Sequence, residues 1–151
     1  MAVTISSINV RGLNEKVKRK NIFHFLSQHE NDIICLQETH QNSENIKKWT
    51  REWGGKSVWN PGSQGRSAGV AILFKKHLNI KIVNTKSDAD GRILRVTLES
   101  ESLKFQILTI YGPNPENEEA SENFFKSIQL ENPIIQDENH KAILIGNQCR
   151  L

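Results

Sequence analysis

Cysteine is scarce in this chain: its 151 residues include two, Cys35 and Cys149. One falls inside an apolar run that reads as a buried strand and the other at the chain end, so neither a disulfide framework nor a zinc site is expected. No apolar stretch approaches the roughly 20 residues needed to cross a bilayer, and no membrane partner is expected. The N-terminus lacks a basic segment followed by an apolar run, so no secretory signal is read and the expected compartment is nuclear or cytoplasmic. Internal repeats and low-complexity tracts are missing as well. Charge is modest: the formal net charge of +3 is compatible with a polyanionic partner without requiring one. The remainder is 36% hydrophobic and 25% charged residues, the balance of one globular domain large enough for a real core.

The chain opens with a strand through Thr4–Leu13. Glu15–His29 then reads as an amphipathic helix with Val17, Ile22, Phe25 and Leu26 inward, and with Lys16, Lys18, Arg19 and Lys20 on a solvated face. Asp32–Leu36 is continuously apolar and rich in β-branched residues, a short strand covered on both faces. Ser43–Trp53 comes next as a second helix with Ser43 as N-cap, stopped by Gly54-Gly55. The texture then changes to strands at Lys56–Trp59, Gly69–Lys75, Leu78–Val83, Ile93–Glu99 and Leu103–Tyr111, with turns at Pro61–Arg66 and Asp88–Gly91. A helix at Glu119–Leu130 and a strand at Lys141–Ile145 complete the pattern. The order βαβα, a run of β, then αβ fits an α/β sandwich with helices covering the outer face of a mixed sheet.

Four of these strands finish in polar groups. The first delivers Asn9, Arg11 and Gly12; the second Glu38; Ile107–Ile110 delivers Tyr111 and Asn114; and Ala142–Ile145 leads to Gly146-Asn147. A strand buried on both faces carries the residues after it to the rim of a sheet, where ligands of open α/β folds sit. A carboxylate held there suits a hard divalent cation. Taken alone, Glu38 is more simply a turn cap or the partner of a lysine; the order and spacing of all four ends make the pattern specific.

On the stretches Ser7-Ile8-Asn9-Val10-Arg11-Gly12-Leu13, Leu36-Gln37-Glu38-Thr39-His40, Arg66–Leu73, Gly91–Val96 and Ile110-Tyr111-Gly112-Pro113-Asn114, the chain resembles the endonuclease/exonuclease/phosphatase superfamily. Within it the likeness is to the apurinic/apyrimidinic-like endonuclease domains of non-LTR retrotransposons of the long interspersed element type. It runs from about Val3 to Gly146 and covers the first part of that domain, so residues 1–151 are expected to form an incomplete domain. The resemblance implies an α+β fold, part of a four-layer α/β sandwich of mixed sheets with outer helices, DNase I-like. It also implies Mg²⁺-dependent nicking of DNA. By residue match Glu38 is the metal ligand with Asn9 beside it, Tyr111 and Asn114 hold the scissile phosphate, and Asn147 falls within the motif that carries the family's general base. His40 matches the motif but is given no chemistry, a local hydrogen bond being an equal reading.

Two departures bear on activity. The family's Gly-Asp-x-Asn motif reads Gly146-Asn147-Gln148-Cys149 here. In an ungapped reading Asn147 replaces the Asp; if two residues were lost, Asn147 is the motif's own Asn displaced. Either way a carboxylate is replaced, and an amide accepts no proton at neutral pH. A Ser-Asp-His-type motif also has no counterpart, none of His24, His29, His40, His77 and His140 falling at its place. The expectation is weak, substrate-dependent Mg²⁺ binding and impaired catalysis. Because the resembled fold packs two sheets face to face, an uncovered inner face and self-association through it are expected too. A non-catalytic remnant that binds nucleic acid or a protein is the second reading. A phosphoesterase of another branch, such as an inositol-lipid phosphatase or a deadenylase, is the third; Ser67–Ala71 and Tyr111–Asn114 favour the retrotransposon branch over it.

Overall fold

β-branched and aromatic runs of four to eight residues, broken by turn-forming segments, make strands too short to bury a core in one layer. The chain distributes them over two sheets. The computed structural model describes residues 2–62, 68–114, 116–131 and 141–147. In order these are β1 (Ile5–Asn9), α1 (Lys16–Gln28), β2 (Ile33–Gln37), a 3₁₀ turn at Ser43–Asn45 leading into α2 (Ile46–Trp53), and β3 (Ser57–Asn60). β4 (Val70–Phe74), β5 (Lys81–Ser87), β6 (Ile93–Glu99), β7 (Lys104–Tyr111), α3 (Glu118–Glu131) and β8 (Lys141–Asn147) complete the order.

The first sheet has the order β1-β2-β4-β3 and the second β5-β6-β7-β8. Each contains one parallel pair joined through a helix, β1 with β2 and β7 with β8, and is antiparallel elsewhere. Read from its parallel edge inward, each sheet therefore has the same plan, although the sequence shows no repeat.

Alternation along the strands decides what lies between the layers. Ile33, Cys35, Val70, Ile72 and Phe74 of the first sheet meet Leu94, Val96, Leu98, Phe105 and Ile107 of the second. On the opposite side of the first sheet, Ile34, Leu36, Ala71, Leu73 and Trp59 pack under Phe23 and Leu26 of α1 and Trp49 and Trp53 of α2. The outer side of the second sheet offers Ile93, Leu108 and Ile110 to Ile128, Phe124 and Phe125 of α3. Helices, sheet, sheet and helix make four layers.

This overturns the expected uncovered sheet face and, with it, the argument for self-association. The inner residues of β4, β6 and β7 are buried against one another, because β5–β8 supply the second sheet within the described residues. The inward face of α1 is corrected as well. Val17 and Phe25 are 63% and 55% exposed, and the buried stripe is Arg19, Phe23 and Leu26, with Ile22 partly buried beside it. A charged residue inside the stripe shifts the apparent phase of the helix. Arg19 is thus no part of a solvated face: it is 2% exposed and bound to Glu52. Ser43 is not the cap of α2; it opens the 3₁₀ turn, and no side chain caps the helix proper. β5 begins three residues later than expected, at Lys81, because Leu78 and Ile80 fill the core from the preceding loop. The polar second half of β5 stays a strand through its ladder to β6, a signal that hydropathy does not carry. Residues 63–66 of the expected Pro61–Arg66 turn lie outside the described residues, as do His140, Gln148 and Cys149.

Candidate active site

The strand plan brings four C-terminal ends to one edge. β1 ends at Asn9, level with Gln37 of β2, and β7 ends at Tyr111, level with Asn147 of β8. The two parallel pairs face each other across the inter-sheet core, so Glu38, one residue past β2, meets Tyr111 from the other sheet. Asn9 Nδ2 donates to Glu38 Oε1 at 2.8 Å, and the Tyr111 phenol faces the same carboxylate closely enough to feel its charge and its hydrogen-bonding capacity. Burial first, then the hydrogen bond and the negative charge of Glu38, raise the phenol above its ordinary range, opposed by the Arg92 guanidinium. Asn9 Oδ1 accepts from the Arg11 N–H at 3.0 Å, which sets the amide so that its NH₂ faces Glu38.

The backbone here is strained. Among the described residues the non-glycine positive φ angles are Arg11 at 47°, Glu38 at 54°, His40 at 54° and Ala68 at 66°. All four sit just past β1, just past β2 or just before β4. Such conformations cost on the order of 1–3 kcal/mol each and persist where surrounding contacts over-determine them. The contacts are visible: Gly12 N–H donates to Glu38 O at 2.6 Å, Leu13 N–H to Thr39 O, Thr39 N–H to Gly69 O, and His40 N–H to Ala68 O. The loops thus continue the sheet ladder past its strands, holding Glu38 at the rim with 18% of its side chain exposed. Two glycines permit the approach. A Cβ on Gly12 would stand 2.8 Å from His40 Nδ1, and one on Gly91 would stand 2.7 Å from Gly62 Cα.

Below the rim a buried polar chain crosses the layers. Ser7 Oγ donates to Gln37 Oε1 at 3.1 Å, and Gln37 Nε2 donates to Thr109 Oγ1 at 3.2 Å. Gln37 and Thr109 are fully buried, so the bonds fix the register of β2 against β7 and hence Glu38 against Tyr111. Sequence reading passed over Gln37 and Thr109 because each ends or interrupts an apolar run without announcing a partner. Arg19 was likewise missed: its Nη1 donates to Leu13 O at 2.9 Å and Asn14 O at 3.2 Å, pinning the loop after Asn9.

Of the other site residues named from sequence, Asn114 is exposed three residues past Tyr111, with Oδ1 accepting from Glu116 N–H in its own turn. Asn147 closes β8 in register with Tyr111, and its side chain lies outside the described part of the structure. His40, which received no role, stands with Nε2 3.8 Å from Glu38 Oε2. Among the described residues no three His, Cys, Asp or Glu side chains gather to hold a metal. A cavity of about 590 Å³ opens at the opposite end of the sandwich, lined in part by His29, Trp53, Lys75 and Lys76. There Lys75 Nζ donates to Ser27 O and His29 O at 2.6 Å each, neutralising the carbonyls at the end of α1, a structural arrangement.

The two-sheet sandwich flanked by helices thus brings a carboxylate, an amide and a phenol together at its strand ends. The chain belongs to the Endonuclease/Exonuclease/phosphatase family, which it matches over residues 6–147. It is 27% identical over 146 residues to the "Transposon TX1 uncharacterized 149 kDa protein" of Xenopus laevis, covering 97% of this chain and 11% of that protein. To a DNA-(apurinic or apyrimidinic site) endonuclease of Dictyostelium discoideum it is 34% identical over 113 residues, 73% of this chain and 30% of the relative. The chain therefore spans less than a third of either. Among solved structures, D. rerio TDP2 complexed with single strand DNA product superposes with a TM-score of 0.68 at 15% identity, over 95% of this chain and 59% of that one. The AP endonuclease LMAP from Leishmania major gives 0.66 at 20% identity, over 85% and 47%. No helix among the described residues is long and apolar enough to cross a membrane.

Proposed function

We propose that this chain is a retrotransposon-derived endonuclease domain in which Glu38, held by Asn9 and Tyr111, presents a divalent cation, Mg²⁺, to a DNA phosphate, and in which the amide at Asn147 impairs turnover. The carrying observation is the convergence of Asn9, Glu38 and Tyr111 from three strand ends in two sheets, on strained backbone. An ionised carboxylate offers about four lone-pair sites. The hydrogen bond from Asn9 and the neighbouring phenol of Tyr111 leave room on Glu38 for a hard cation, and the Asn9 oxygen keeps one lone pair beyond its bond to Arg11. With one carboxylate, such a cation keeps most of its waters and leans on substrate phosphate. When bound, it would neutralise charge developing on the phosphate oxygens. The phenol of Tyr111 and the carboxamide of Asn114 would supply fixed donors to the same oxygens.

Asn147 supports the second half of the reading. It ends β8 level with Tyr111, at the rim, where a proton acceptor is needed and an amide cannot serve. The same substitution favours the companion reading, a domain that keeps nucleic-acid binding through exposed Arg11, just past β1, and the exposed Lys16 and Lys20 of α1, without efficient cleavage. Plasmid nicking with Mg²⁺ tests both halves. The expected result is near-background nicking, lost entirely in Glu38→Ala and raised in Asn147→Asp, since a positioned base contributes about 10²–10⁴-fold. Metal-dependent turnover at an ordinary enzymatic rate in the unaltered chain would overturn the impairment. Nicking indifferent to Glu38→Ala would overturn the site. Millimolar Mg²⁺ without DNA is expected to leave the melting temperature nearly unchanged.

A further inference from the structure

We propose that Arg92 is a positioning residue, clamping Tyr111 so that its phenol reaches Glu38. This rests on the reading of Tyr111 as a phosphate-holding group, and it gives a role to a residue of the Gly91–Val96 stretch that was assigned none from the sequence.

Arg92 meets Tyr111 in three ways. Its guanidinium carbon lies 5.2 Å from the centroid of the Tyr111 ring. Nη1 donates to Gly112 O at 2.9 Å and to Tyr111 O at 3.3 Å. The Tyr111 N–H returns a bond to Arg92 O at 2.7 Å. The position of Arg92 is itself fixed from behind. Asp88 Oδ1 accepts from Arg92 N–H at 3.0 Å, Ile93 N–H at 2.9 Å and Asn60 Nδ2 at 2.8 Å, and Asn60 Nδ2 also donates to Ile93 O at 2.9 Å. A chain of contacts thus runs from the end of β3, through the β5–β6 turn, to the ring and on to Glu38. The position of the phenol oxygen is set by χ1, which has separate staggered wells, and a guanidinium held over the ring opposes a jump to another well. Nη1 serves both carbonyls while the guanidinium lies over the ring; an ammonium keeps the cation–π attraction and loses the planar stacking.

The chain contains one tyrosine, so the ring-labelled chain gives a single set of tyrosine ring signals by NMR. The indoles of Trp49 and Trp53 on α2 and of Trp59 on β3, packed on the outer side of the first sheet, report the fold. In Arg92→Gln the through-space contact between the Tyr111 ring and the Glu38 side chain is expected to disappear while the three indole signals stay in place. Arg92→Lys is expected to retain part of that contact. A ring signal that moves while the contact to Glu38 persists in Arg92→Gln would overturn the proposal. Indole signals that move together with the ring in both variants would also overturn it, by making Arg92 a support of the fold at large. The readout is ring position rather than cleavage. A chain that fails to nick DNA can therefore still satisfy it, and a chain that nicks can still refute it.

Discussion

Glu38 is held by its neighbours rather than by its own preferences. Its φ of 54° is costly for a residue with a Cβ, and the cost is met by the Gly12 N–H on its carbonyl and by the Asn9 and Tyr111 side chains on its carboxylate. The Tyr111 phenol carries the measurable consequence. Burial and the adjacent carboxylate favour its neutral form, so ultraviolet titration of this single tyrosine should give a midpoint above the ordinary value of about 10. Glu38→Gln removes the charge and should bring the midpoint down. Because the folded value is raised, the stabilisation it represents is full below the unfolded-chain value and fades as pH rises through the folded one. A midpoint in Glu38→Gln equal to or above that of the unaltered chain would contradict the Tyr111–Glu38 contact. Cys35 belongs to the same rim-to-core gradient: burial pushes its thiol up to about 12, so it is an inert core residue.

Among the elements, α1 illustrates how a helix serves a site it does not line. Glu15 caps it, accepting from Val17 N–H and Lys18 N–H at 2.7 Å each. One turn later Arg19 forks onto Glu52 of α2, with Nε–Oε2 at 2.6 Å and Nη2–Oε1 at 3.1 Å, lies 4.9 Å over the Trp49 ring, and reaches Leu13 O and Asn14 O. Four roles in one buried cation tie both helices to the loop after β1. Arg19→Leu would leave Glu52 partly buried and two loop carbonyls unpaired, and should cost on the order of 3 kcal/mol, the range for breaking a buried pair. Urea unfolding should register that loss, whereas removing one of the exposed lysines of α1 should change stability by less than about 0.5 kcal/mol.

For the whole molecule the decisive fact is that each sheet is the other's cover. Ile107 of β7 and Ile72 of β4 are fully buried between the sheets. Ile107→Ala should cost about 2–5 kcal/mol by the lost transfer energy and the cavity left behind. Chemical denaturation would measure it. Since the inner faces are packed, hydrophobic-dye fluorescence should stay at the level of ordinary folded proteins until the chain unfolds. Strong dye binding under native conditions would show that the sheets part.

What local sequence determined is clear in particular residues. Ile33–Leu36 had to be a doubly covered strand because a continuous β-branched run has no polar face to turn outward. Ile93–Glu99 was legible to the residue, because alternation and a bounding turn agree. Asn9, Glu38 and Tyr111 were legible as strand-end groups because polar residues directly after apolar runs stand out. Tertiary structure alone decided the rest. The burial of Arg19 and Gln37 depends on partners 33 and 72 positions away, Glu52 and Thr109, which no window of sequence contains. The clamp from Asp88 through Arg92 to Tyr111 exists only because a turn and a strand end are adjacent in the folded sheet. The closure of one sheet by the other came from equal plans in two halves with no sequence repeat. Backbone hydrogen bonding and the inside–outside alternation set that plan, and many different side chains satisfy it.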